Sequence, residues 1–147
     1  MCVGPVKQLI AAPRTTYRVF ALIELSNRQA GDMVSHGTRM SQDIQQCIDE
    51  CLNCHRICLE TVQHCLQKGG EHAAPEHIVL LLDCAEICQT SANFMLRGSD
   101  LHQRTCAVCA EVCSRCAASC EALGGKELEA CAKACRSCAE SCERMAA

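Results

Sequence analysis

The chain has few of the side chains that usually fill a protein interior. Tryptophan is absent, and Tyr17, Phe20 and Phe94 are the only aromatic residues among 147. A single domain of this length has room for a sizeable core, so something else must occupy it. Long hydrophobic runs are missing too. The N-terminal segment offers Lys7, Arg14 and Arg18, but the apolar run Val19–Ile23 is short and stopped by Glu24. With no twin-arginine pair and no stretch of about 18 apolar residues, neither export nor membrane spanning is expected. An excess of positive charge is also lacking. Lys and Arg number 14 against 17 Asp and Glu, a formal net charge of −3, so nothing favours nucleic acid or an anionic membrane as partner.

Cysteine is what the chain has in abundance: 17 residues, sixteen of them between Cys47 and Cys142. Such density ordinarily marks a secreted disulfide scaffold. Here the count is odd and no signal peptide is evident. Cysteines on one helical stripe are also poorly oriented for bridging one another. A reducing cytosol would keep the thiols free for metal, so a cytoplasmic location is expected.

The spacing is the main signal. Cys47, Cys51, Cys54, Cys58 and Cys65 are followed by Cys84 and Cys88. Then come Cys106, Cys109, Cys113, Cys116 and Cys120, and finally Cys131, Cys135, Cys138 and Cys142. Steps of three and four place side chains on one stripe of a helix. Helix one is expected from Ser41, an N-cap residue, to about Gln67, with a second stripe Ile48, Leu52, His55, Leu59, Val62 and Leu66 beside the thiols. Helix two should run from Pro75 to Gly98, helix three from after Ser99 to about Leu123, and helix four over roughly Lys126–Met145. Short Gly- or Pro-marked connections make sequential helices antiparallel neighbours. The fold expected is all-α, an antiparallel up-down-up-down four-helix bundle with cysteines lining the core. Residues 1–38, with Pro5, Pro13, Gly31, Gly37 and Cys2, read as a poorly defined extension to a metal-binding domain at 39–147.

Same-stripe neighbours on a helix have Cβ atoms about 5–6 Å apart, so two thiolates can grip one ion from opposite sides. That arrangement suits Cu(I), a soft ion that selects thiolate and thioether. Zinc wants four ligands, usually gathered by turns, and the stretches Cys47–Cys58 and Cys106–Cys120 contain no Gly or Pro. Charge points the same way. Buried thiolates must be neutralised, and one monovalent cation per thiolate does so, whereas divalent ions at that ratio leave a positive excess. The sequence thus suggests on the order of one Cu(I) per seam cysteine, many ions per chain. At one end of the bundle the seams finish in Met40, Met95, His102 and Met145, neutral soft or borderline ligands, although Met on a seam is also ordinary core filler. Copper is expected to pass there. Seam positions Thr61 and Ser91 hold hydroxyls where thiols would fit, and His77, at the far end, reads as a structural or surface histidine.

The Cys-x3-Cys-x2-Cys-x3-Cys pattern on helices one and four, with its longer form on helix three, resembles the bacterial copper storage proteins over roughly Met40–Met145. That resemblance implies a cysteine-lined four-helix bundle holding many Cu(I) ions for storage or detoxification. Without an export signal it is similar to the cytosolic branch, which implies a homotetramer. Helix two departs from the pattern, with Cys84 and Cys88 alone. The apolar run Ile78-Val-Leu-Leu-Leu82 independently argues for an oligomer, since one seam cannot bury it.

Other readings are weaker. Cys51-Leu-Asn-Cys54-His55 matches c-type haem attachment but sits within a longer thiol ladder. Cys106–Cys116 lacks ferredoxin spacing and its following proline. No Glu-x-x-His pair supports a di-iron centre, and no Cys-x-Cys supports a metallothionein. A thiol oxidoreductase needs only two cysteines and one activated thiol. No enzyme is expected; thiol redox and other metal binding (zinc, iron–sulfur) remain the alternatives.

Overall fold

The computed structural model describes residues 41–147. It contains α1 (Gln42–Lys68), α2 (Pro75–Leu96), α3 (His102–Leu123) and α4 (Lys126–Ala146), with a 3₁₀ turn at Gly70–Ala73 between the first two. Cys2 and Met40 lie outside the described residues. Each helix packs against its sequence neighbours and α4 returns against α1, which closes a ring of four. Cross-helix contacts fix the directions. Cys47 near the start of α1 meets Cys142 near the end of α4, while Cys58 meets Cys131 near the start of α4. Cys84 and Cys88 of α2 likewise face Cys113 and Cys109 of α3 in reverse order. The bundle is antiparallel, as the short connections require.

Helix ends fall within a few residues of the sequence expectations, for identifiable reasons. The Ser41 hydroxyl accepts the Ile44 N–H at 3.3 Å and caps α1. After α2, Gly98 takes φ +63°, the Ser99 N–H reaches back to the Phe94 carbonyl and the Gly98 N–H to that of Met95. This paired closure needs a left-handed residue, which glycine adopts without strain. Asp100 and Leu101 then turn the chain, so α3 opens at His102 rather than directly after Ser99.

The sixteen cysteines from Cys47 to Cys142 are all unpaired and fully buried. Large apolar side chains inside the ring are confined to Ile48, Leu81 and Leu128 among the fully buried residues. Ala85, Ala110, Ala117, Ala132 and Ala139 each follow a seam cysteine by one position and are buried beside it. Their small volume lets neighbouring helices approach closely, because interaxial distance follows the side chains at the contact.

The second stripe of α1 is buried only at its start. Ile48 is 1% exposed, but Leu52, Leu59 and Leu66 are 37%, 39% and 57% exposed, and Leu82 and Leu96 of α2 also face out. The ring closes on a narrow seam, and the flanking contacts are largely made by alanine. A second difference concerns α2. At 22 residues it has the length and apolar composition to cross a bilayer, which the sequence reading did not find. It carries Glu76, Asp83 and Glu86, however, and turns Cys84 and Cys88 into the bundle.

With so few large side chains inside, each should matter. Replacing fully buried Leu81 with Ala should lower the stability of the reduced, metal-free protein by about 2–4 kcal/mol, read from anaerobic urea unfolding. Val108→Ala, exposed on α3 and outside the apolar α1–α2 face, should change it by less than about 0.5 kcal/mol. Equal effects would mean that exposed side chains, not the interior, carry the fold.

Candidate metal centre

Each helix contributes its cysteine stripe to the same interior, and the sulfurs touch. Cys51 Sγ lies 3.5 Å from Cys142 and 3.7 Å from Cys138. Further along, Cys88 Sγ is 3.5 Å from Cys113 and 3.7 Å from both Cys109 and Cys138. Cys84 then reaches Cys113 at 3.6 Å, Cys54 at 3.8 Å and Cys135 at 3.9 Å. Cys58 continues to Cys135 and Cys131 at 3.8 and 3.9 Å. A continuous, branched file of thiol contacts thus runs along the bundle axis.

The sequence reading looked for ion-gripping pairs within one helix. Those exist, as with Cys109–Cys113 at 3.8 Å and Cys54–Cys58 at 4.0 Å. The shortest contacts, Cys51–Cys142 and Cys88–Cys113 at 3.5 Å, join different helices. Helix spacing is legible in sequence; helix facing is not.

The lack of turns within the helices does not exclude zinc, contrary to the expectation from sequence. Four thiols lie within 4.8 Å of one another in sets such as Cys58, Cys116, Cys131 and Cys135, drawn from three helices, so the bundle does what turns do elsewhere. With Zn–S bonds near 2.3 Å, a tetrahedral edge is about 3.8 Å, and the observed separations fit it. The sets overlap: Cys54 belongs to at least two, as do Cys58, Cys84, Cys88, Cys109, Cys113, Cys135 and Cys138. Divalent ions at one per thiolate would leave a positive excess, whereas monovalent ions held by two or three shared thiolates keep the buried charge balanced.

Neighbouring thiols take opposite protonation roles. Cys84 is held well below the usual thiol range by hydrogen bonds from Cys113, Cys116 and Cys135. Cys88 is pushed far above it by its bonds with Cys109, Cys113 and Cys138 and by burial. Cys106 rises to about 12: its bond with Cys142 lowers it, but the one with Cys47 and burial outweigh that. The thiols pushed up keep their protons until a cation replaces them, because a further buried negative charge must be compensated.

At one end, Met95 is buried with its sulfur 3.9 Å from Cys106 Sγ. His102 is half-buried and its Nδ1–H donates to the Ser99 carbonyl at 2.7 Å, which leaves Nε2 as the available nitrogen. Met145 packs half-buried against the same core, and Gln103 donates to the Ala147 carbonyl, so the start of α3 adjoins the end of α4. Three of the four seam-end residues are thus placed, while Met40 lies outside the described residues. At the other end His77 is 5% exposed, which excludes its surface reading. Its Nε2 is 3.6 Å from Cys65 Sγ and its Nδ1 is 2.8 Å from Ser119 Oγ, a partner that no sequence pattern marked. Thr61 hydrogen-bonds the Ile57 carbonyl, whereas Ser91 Oγ is buried without a partner among the described residues. His55 bonds the Ala85 carbonyl across the α1–α2 contact, and Cys51 and Cys54 enter the thiol core, which leaves the haem-like motif without haem geometry.

Four helices each offering a buried thiol face to a common axis is a rare construction, and residues 40–147 match the family model described as copper storage protein. The chain belongs to the copper storage protein family. It is 52% identical to a structurally solved protein of Nitrosospira multiformis, over 71% of this chain and 95% of that one, with TM-score 0.69. The Cu(I)-bound copper storage protein BsCsp3 of Bacillus subtilis is 35% identical, over 72% of this chain and 100% of that one, with TM-score 0.68. A cytosolic copper storage protein of Streptomyces lividans, solved during copper loading with five coppers, is 28% identical over 71% of this chain and 92% of that one, with TM-score 0.64. The family is one of storage proteins rather than of enzymes.

Proposed function

We infer that this chain stores Cu(I), many ions at a time, on the sixteen thiolates of its core, and that it catalyses no reaction. The observation that carries this is the unbroken file of sulfurs whose four-thiol sets overlap. Shared sulfurs suit a low-coordinate, thiophilic, monovalent ion, and each Cu(I) cancels one buried thiolate charge. Uptake proceeds by exchange: a copper ion enters, a thiol proton leaves, and the interior stays neutral. A redox enzyme would need one activated thiol beside a substrate cleft, whereas here every core thiol is fully buried. The cytosolic relative supports a cytoplasmic location.

Copper uptake is assigned to the end formed by Met95, His102 and Met145, with Met40 as the fourth member from the sequence. Neutral thioether and imidazole ligands there hold the ion loosely and pass it to thiolates further in. A homotetramer is proposed from the apolar surface left open: Leu52, Leu59 and Leu66, spaced by seven on α1, with Val79, Leu82 and Leu96 on α2. Monomers rarely leave so large an apolar face uncovered.

Anaerobic titration with Cu(I) against a chromophoric chelator should show tight uptake of on the order of one ion per core thiol. Zinc, which takes four sulfurs each and at most shares some of them, should saturate at severalfold fewer ions per chain than Cu(I). Uptake of one or two Cu(I) would overturn the storage reading in favour of a redox thiol pair. Light scattering should return four times the chain mass; a monomer mass would remove the tetramer. Replacing Met95, His102 and Met145 together with Leu should slow copper loading and removal severalfold with capacity nearly unchanged, since the thiols hold the store. An unaltered loading rate would place the way in elsewhere.

A further inference from the structure

The end of the bundle remote from Met95 and His102 also carries copper-binding chemistry. Cys65 closes the α1 thiol stripe there, and His77 Nε2 stands 3.6 Å from its sulfur. The imidazole is held from behind: Nδ1 is 2.8 Å from the Ser119 hydroxyl of α3. If Nδ1 carries the hydrogen and donates to that oxygen, the Nε2 lone pair faces Cys65. A histidine whose far nitrogen is fixed by a hydrogen bond, with the near one aimed at a soft anion, has the outer-shell support typical of a metal ligand. His72, on the 3₁₀ turn that closes this end, has a buried Nδ1 with no hydrogen-bond partner among the described residues.

Resting on the storage reading, we propose that Cys65 Sγ and His77 Nε2 together bind one Cu(I) at this end, a mixed thiolate–imidazole site that terminates the all-sulfur file. The balance is simple. Cys65 loses its proton to solvent, Cu(I) takes its place, and no electron is transferred. A neutral imidazole suits this last position. An uncharged donor completes the coordination of an ion at the end of the file without adding buried negative charge.

The test compares Cu(I) capacity in the intact protein with that of His77→Gln, Cys65→Ala and the double variant, each first checked for native helicity when metal-free. Each single variant should hold one ion per chain fewer than the parent, and the double variant no fewer than the singles, because both residues serve one ion. In parallel, two-bond 1H–15N spectra of the unaltered protein should show the His77 Nε2 lone-pair resonance shifting on full loading while Nδ1 keeps its proton. This second reading stands even if a variant fails to fold. Full capacity in His77→Gln, or an unmoved His77 Nε2 resonance in the loaded protein, would overturn the site. Those results would leave storage intact provided the parent still takes up about one ion per thiol. A parent that binds one or two ions would instead remove the storage reading on which the site rests.

Discussion

A protonated cysteine is a small hydrophobe and a deprotonated one is a soft metal ligand, and this bundle uses both states at the same sixteen positions. Because the thiols are fully buried, they form the interior on which the helices close. Because their sulfurs approach to 3.5–4.0 Å, the same interior becomes a ligand array when protons leave. The scaffold therefore does not need a separate core and a separate site. Alanines beside the seam follow from this arrangement: an array of contacting sulfurs requires close helices, and close helices require small flanking side chains.

That economy has a cost elsewhere. Thiols fill less volume than Leu or Phe, so a chain built this way buries less apolar surface per residue than an ordinary bundle. Leu52, Leu59, Leu66 and Leu82 then stand on the outside, where association with further copies can bury them. The more seam positions are given to sulfur, the more of the remaining hydrophobicity sits on the outer face, and that face is the ground on which the tetramer is proposed.

The helices, their direction and the cysteine seams were legible because each rests on a local rule. Step sizes of three and four mark a stripe, Ser41 and Pro75 mark starts, Gly98 marks an end, and short connections force antiparallel neighbours. What sequence could not supply was facing. Nothing in the spacing pairs Cys51 with Cys142, or Cys88 with Cys113, and so the within-helix pair looked like the natural ion grip. The same blindness made zinc appear to need turns. His77 stood between a structural and a surface reading for a related reason: a lone histidine near a helix start can be either until Cys65 and Ser119, from two other helices, are brought to either side of its ring.

The two ends of the seam then take different chemical parts. At the Met95 end the neutral donors are thioethers on flexible stems with a half-buried imidazole beside them. Met is adaptable and binds soft ions weakly and reversibly, which suits exchange with the outside. At the Cys65 end the neutral donor is a rigid ring locked by Ser119 and sealed from solvent. Pre-organised donors bind more firmly because little motion is lost on coordination. With the uptake end and the His77 site as proposed, an ion at the Met95 end would leave readily, while one beside His77 would leave only after its neighbours along the file had moved. The antiparallel ring, by gathering unlike helix ends at each mouth, would then give the store a loose end and a fixed one.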